Sequence, residues 1–102
     1  NIRKGLEADT SFIDNTFTGW DRRAWVEWPE WNAGLLIESE TPLDFLVVYA
    51  PLNEDIFCVE PVSNVTDAFN MMARGEPGHG TRVLEAEESL KSRVTFSPQF
   101  GL

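Results

Sequence analysis

Short apolar runs separated by turn-forming residues dominate this chain and restrict what it can fold into. The runs are rich in β-branched and aromatic residues, and clusters of proline, glycine, asparagine and aspartate close them, which is typical of β-strands. We therefore predict an all-β fold, an antiparallel β-sandwich of about six or seven short strands whose early strands form a meander. The predicted strands are residues 24–28, 34–38, 44–49, 56–59, 81–84 and 90–96, with one helical turn in residues 67–73.

A glutamate closes one of the predicted strands. The apolar residues 56–59 lead into Glu60 and then Pro61, which has no N–H to donate to a central ladder. Glu60 is therefore expected at the end of the strand, half removed from water, where a carboxylate is suited to accept a proton as a general base. A rim carboxylate paired with an arginine, or one that caps a loop, has the same spacing. The spacing alone leaves both interpretations open.

The charge balance restricts the partners of the chain. Seventeen acidic and eight basic residues give a formal net charge of −9. A field of this sign repels phosphate backbones and anionic membrane surfaces, so we expect neither nucleic acid nor membrane as a partner. The single cysteine, Cys58, excludes a disulfide framework within the chain and fits a reducing, cytoplasmic setting.

Ordered sequence blocks carry a resemblance to a known family. The blocks are residues 45–51 (FLVVYAP), 55–62 (DIFCVEPV) and 66–70 (TDAFN), extended upstream by residues 13–21 (IDNTFTGWD). In this order they are similar to the C-terminal blocks of aldose 1-epimerases, which are sugar mutarotases. The resemblance covers nearly the whole chain. It implies that residues 1–102 are the C-terminal part of a single galactose mutarotase-like domain, a large antiparallel β-sandwich.

The resemblance also implies an activity, the interconversion of the α and β anomers of a free aldose by acid/base ring opening. The glutamate of the Cys-x-Glu block, here Glu60, takes the proton from the anomeric hydroxyl, and a histidine protonates the ring oxygen. The implied partner is a monosaccharide substrate. No metal and no organic cofactor are implied.

The catalytic histidine of the family belongs to a segment upstream of these blocks. The single histidine here, His79, lies in a glycine-rich loop that we expect to face solvent. The acid is therefore expected outside this chain, in a missing N-terminal part of the same protein, and the chain alone is expected to be inactive. Self-association is the other expected way to cover the open edges of a partial sandwich.

Two further positions are candidate sugar contacts. Asp55 lies five residues before Glu60, near a polar sugar-binding position of the family, and a plain turn aspartate is an equally good interpretation. Asn1 stands where the family often has the aspartate of an Asp-x-Arg block. Trp25 and Trp31 are at strand and turn positions where the core is as good a destination as a sugar.

Two other functions remain open from the sequence. An epimerase acting on a hexose phosphate would need clustered arginines for the phosphate, and the basic residues here are scattered. A non-catalytic carbohydrate-binding or regulatory module would keep the same fold without the acid, because a fold does not determine a function.

Overall fold

The computed structural model describes residues 12–102 of the chain. Within this range the structure is mostly β, which confirms the predicted all-β class. The strands are β1 (Ile13–Phe17), β2 (Arg23–Trp28), β3 (Ala33–Ser39), β4 (Phe45–Ala50), β5 (Cys58–Val62) and β6 (Val94–Phe100), and the one short helix is α1 (Ala68–Ala73). A 3-10 turn, Pro29–Trp31, joins β2 to β3.

The described strands form two antiparallel sheets of three strands each. Sheet A has the order β1-β4-β5, and sheet B has the order β2-β3-β6. β2 and β3 pair as a hairpin, but the chain then crosses to the other sheet, so β3 and β4 are not neighbours. The meander expected through these strands is therefore interrupted after β3.

One face of sheet A, which we call its inner face, contains the core cluster of the described residues. Alternate residues of β4, Leu46, Val48 and Ala50, are buried together with Ile13 of β1. Ala24 of β2, in sheet B, packs against this cluster. Because side chains alternate along a strand, the remaining residues of β4 project from the opposite face, the outer face of sheet A.

Several strand boundaries differ from the sequence prediction. β5 continues through Pro61 because, among the described strands, it is an edge strand paired only with β4, and an edge tolerates a residue without an N–H. The expectation that Glu60 ends the strand was wrong, since it is the middle residue of β5. Residues 81–84 form no strand, and the last strand begins at residue 94 instead of 90. β1 was not predicted.

Trp25 and Trp31, for which the sequence left open the core and a sugar contact, are both exposed. Trp25 lies on the face of sheet B that points away from the core, with 45% of its surface exposed, and a Cβ built on Gly34 would overlap its ring. Gly34 is buried because this ring covers it. Trp31 is 70% exposed, with its ring stacked on Trp28 at a centroid distance of 6.3 Å.

The contact between Trp25 and Gly34 makes a prediction about stability. Gly34→Ala should lower the free energy of unfolding by about 1 kcal/mol, because the ring must leave the backbone that it covers. In a Trp25→Ala background the same change should be neutral or stabilising, since glycine is a poor residue within a strand. Urea unfolding of the four proteins measures both effects. Equal destabilisation in the two backgrounds would contradict this account of the packing.

Candidate functional site

The outer face of sheet A aligns Glu60 with residues of the two neighbouring strands. In the antiparallel register, Glu60 of β5 lies opposite Val47 of β4, and Val47 lies opposite Thr16 of β1. Directly opposed residues project from the same face, so these side chains form one row. Two strand spacings separate Thr16 from Glu60, a distance of about 10 Å. The next row on this face contains Asp14, Tyr49 and Cys58.

A groove opens over this face, between sheet A and the segment that contains α1. It is open to solvent and has a volume of about 500 Å³. Its lining from sheet A includes Asp14, Thr16 and Val47, and its opposite wall includes Val65, Thr66 and Met71. The lining therefore combines hydroxyl and carboxylate groups with apolar side chains, and none of the residues that line it is lysine or arginine.

A hydrogen bond between two threonines joins the walls of the groove. The hydroxyl oxygens of Thr16 and Thr66 are 3.0 Å apart, although the residues are fifty positions apart in the chain. Thr66 lies just before α1, which begins at Ala68, the one buried residue of that helix. The pair therefore fixes the wall that contains α1 against β1.

His79 belongs to the same wall, which corrects the expectation that it faces solvent. It is half-buried, and its Nδ1 accepts a hydrogen bond of 2.9 Å from the N–H of Thr81. Its carbonyl oxygen accepts another, of 3.0 Å, from the N–H of Val65. A neutral imidazole that accepts at Nδ1 carries its proton on Nε2. Gly80 packs closely on the ring of Phe45, so this loop is tied over one end of the outer face.

Glu60 is exposed, which corrects the expectation of a half-desolvated carboxylate. Among residues 12–102, β5 pairs only with β4 and lies at the edge of sheet A, so neither a further strand nor the core of this part of the chain covers Glu60. Five ion pairs form among residues 12–102, and none of them includes Glu60. Within this part of the chain, the interpretation of Glu60 as the partner of an arginine is therefore not supported.

The arginine nearest to α1 is already paired. Arg74 ends the helix and forms ion pairs with Glu76, at 2.7 Å, and with Asp67, at 3.5 Å. The hydrogen bond with Glu76, followed by the hydrogen bond and charge of Asp67, raises the pKa of Arg74 above its ordinary value. The guanidinium of Arg74 therefore faces two carboxylates, and Arg74 is not among the residues that line the groove.

Neither Glu60 nor the other two predicted site residues are found in the lining of the groove. Glu60 lies in the row of Val47 and Thr16, which line it, but does not line it itself. Asp55 is exposed in the loop between β4 and β5 and does not line the groove. Asn1 lies outside the described residues. Sequence reasoning missed Thr16 and Thr66. Residues 13–17 read IDNTF, and the three consecutive polar residues hide the alternation that would have marked a strand.

The loop contact of His79 can be tested by amide hydrogen exchange. His79→Ala removes the acceptor for the N–H of Thr81 and should destabilise the fold by about 1 kcal/mol, the net value of one such hydrogen bond. We expect faster exchange at Thr81 and Val65, with unchanged exchange in the β2–β3 hairpin as the internal control. Unchanged exchange at Thr81 would show that the imidazole does not hold this loop.

Residues 12–102 contain no group of three or more histidine, cysteine, aspartate or glutamate side chains arranged to hold a metal ion. In the same range no helix is long and apolar enough to cross a membrane. Comparison of the chain with protein-family models, with characterised proteins and with solved structures gave no match.

Proposed function

We propose that this chain is the base-bearing part of an aldose 1-epimerase, with Glu60 as the general base. The observation that carries the proposal is the position of Glu60 on the open outer face of sheet A, in one row with Val47 and Thr16 and free of ion pairs within residues 12–102. The sequence blocks that resemble the family support the same residue. We further propose that the fold extends to a sandwich of galactose mutarotase type and that the setting is cytoplasmic.

The reaction needs one base and one acid. The carboxylate of Glu60 takes the proton from the anomeric hydroxyl of the sugar while an acid gives a proton to the ring oxygen. The bond between the anomeric carbon and the ring oxygen breaks, leaving an open-chain aldehyde. Rotation next to that carbon and closure by the reverse steps give the other anomer, so no atom is gained or lost and both groups are restored.

The acid of this proposal comes from outside the chain. The described residues contain one histidine, His79, which holds a loop through its Nδ1 and its carbonyl oxygen and is not among the residues that line the groove. We therefore propose that an N-terminal part of the same protein provides the acid above the outer face of sheet A. Self-association would instead bring together two copies of the same base.

A free aldose is a better substrate than a sugar phosphate for this groove. A phosphate site normally presents arginine or lysine side chains to the ligand. No basic residue lines the groove, and Arg74, at the end of α1, is bound to Glu76 and Asp67. The same observations suit a carbohydrate-binding module without catalysis, which is the alternative function.

Mutarotation with an external acid tests the proposal on this chain. Anomer equilibration of α-D-galactose and α-D-glucose is followed by polarimetry with the chain in imidazole buffer, which supplies the proton donor. We expect acceleration over imidazole alone that Glu60→Gln abolishes, since a positioned base contributes about 10²- to 10⁴-fold in a complete site.

Glu27→Gln is the matched control, because Glu27 is an exposed strand glutamate of sheet B, away from the groove. It should leave the acceleration unchanged. Acceleration that survives Glu60→Gln would rule out Glu60 as the base. Sugar binding with no acceleration in any protein would favour the binding module.

A further inference from the structure

We infer that Thr16, Thr66 and Asp14 form a second part of the sugar site, which binds hydroxyl groups of the aldose away from its anomeric carbon. This inference rests on the proposed function in taking the ligand to be an aldose. All three residues lie within the sequence blocks that resemble the family, but the resemblance gives them no role. In the structure they line the groove together, and Thr16 shares a row with Glu60, which does not itself line the groove.

The threonine pair has hydrogen-bonding capacity that its own contact does not use. Each hydroxyl offers one donor and two acceptor positions. The single hydrogen bond between Thr16 and Thr66 uses one donor and one acceptor position. One O–H and several lone pairs therefore remain at the surface of the groove. A sugar hydroxyl, which both donates and accepts, can match this pattern.

Asp14 adds a charged hydrogen-bond acceptor beside the threonine pair. It lies two residues before Thr16 on β1 and projects from the same outer face, and both line the groove. A carboxylate accepts hydrogen bonds only, and such charge-assisted bonds to hydroxyls are short and strong. Asp14 therefore suits a pair of neighbouring sugar hydroxyls that donate to it.

The apolar part of the lining fits the other chemistry of a pyranose ring. Val47, Val65 and Met71 are half-buried and lie among the polar groups of the groove. A sugar ring presents C–H groups on its faces and hydroxyls around its rim. Sites for such ligands combine apolar surface with a few placed polar groups, in clefts of about 300–1,000 Å³. The groove has this composition and a volume of about 500 Å³.

The strand register also separates the role of Glu60 from that of the threonines and Asp14. Thr16 lies two strands from Glu60, about 10 Å away, with Val47 between them. A sugar that places its anomeric hydroxyl at Glu60 and lies across β4 therefore turns its far hydroxyls toward β1. The threonines and Asp14 should determine affinity and the choice of sugar, without taking part in the proton transfers.

The test measures binding separately from turnover. Dissociation constants for D-galactose and D-glucose are obtained by titration of amide chemical shifts in the ¹⁵N-labelled chain. We expect Thr16→Val, Thr66→Val and Asp14→Asn each to weaken binding of at least one sugar about three- to tenfold, the value of one net hydrogen bond. Thr66→Ser, which keeps the hydroxyl, should bind as the parent does. Thr95→Val on β6 is the control outside the groove.

Deoxy sugars separate direct contact from a loss of structure. If Thr66 touches a sugar hydroxyl, Thr66→Val should lose nothing against the deoxy analogue that lacks that hydroxyl, while a merely displaced wall would weaken every analogue equally. If Thr66→Val weakens the binding of every analogue equally, or weakens none, the inference is overturned. The proposed function still stands in that case, provided that the parent chain binds sugar. Absence of any binding by the parent chain overturns both.

Discussion

The alternation of β4 determines the arrangement of the rest of sheet A. Leu46, Val48 and Ala50 are buried on the inner face, so Val47 must project from the outer face. Because β1 and β5 pair with β4 in this register, Thr16 and Glu60 lie beside Val47 on the same outer face. A shift of one residue in either pairing would turn the neighbouring side chains into the core. Burial of a few aliphatic residues therefore decides that the carboxylate and the threonine share the open face.

Sheet B is covered less completely than sheet A. Ile37 and Ala33 of β3 are buried, but the β6 residues opposite them, Phe96 and Phe100, are 60% and 79% exposed. The carbonyl of Arg93 accepts a hydrogen bond from Glu40, and the N–H of Gly101 donates to Asn32, so the odd-numbered residues of this segment point their backbone groups toward β3. The backbone groups of Pro98, an even-numbered residue, therefore point to the opposite side, the edge of sheet B in the described part of the chain. Proline has no N–H to donate there. The strand thus presents an apolar face together with an edge that resists regular pairing with another strand.

The strands with continuous apolar residues could be predicted from the sequence. Strand boundaries that depend on contacts with distant residues could not. Residues 24–28, 34–38 and 44–49 were predicted within one residue of the observed strands, because their composition and flanking turns agree. The end of β5 was misplaced because Pro61 was interpreted as a break, and a proline interrupts a central strand but not an edge. Residues 81–84 have strand-like composition but find no neighbour to pair with.

The groove was beyond sequence reasoning for a related reason. Its walls come from residues 14–18 and 65–78, and the hydrogen bond that joins them links Thr16 to Thr66. Neither threonine stands out in its local sequence. The two hydroxyls come together only when the segment that contains α1 folds over sheet A. Glu60, by contrast, was proposed as a site residue from its neighbours in sequence, because the Cys-x-Glu block is local. Its degree of burial was predicted incorrectly, because burial depends on strands that lie elsewhere in the chain.

The exposure of Glu60 constrains any chemistry that it performs. Water reaches the carboxylate of Glu60, so a ligand or protein segment that acts together with it must first displace that water. The inner face of sheet A is closed by the core, and the groove occupies the side toward β1. A group that acts together with Glu60 must therefore approach over the outer face or from the free edge of β5. Anything that covers that face would exclude water from Glu60 and would at the same time lie close to Thr16, because the two side chains belong to one row.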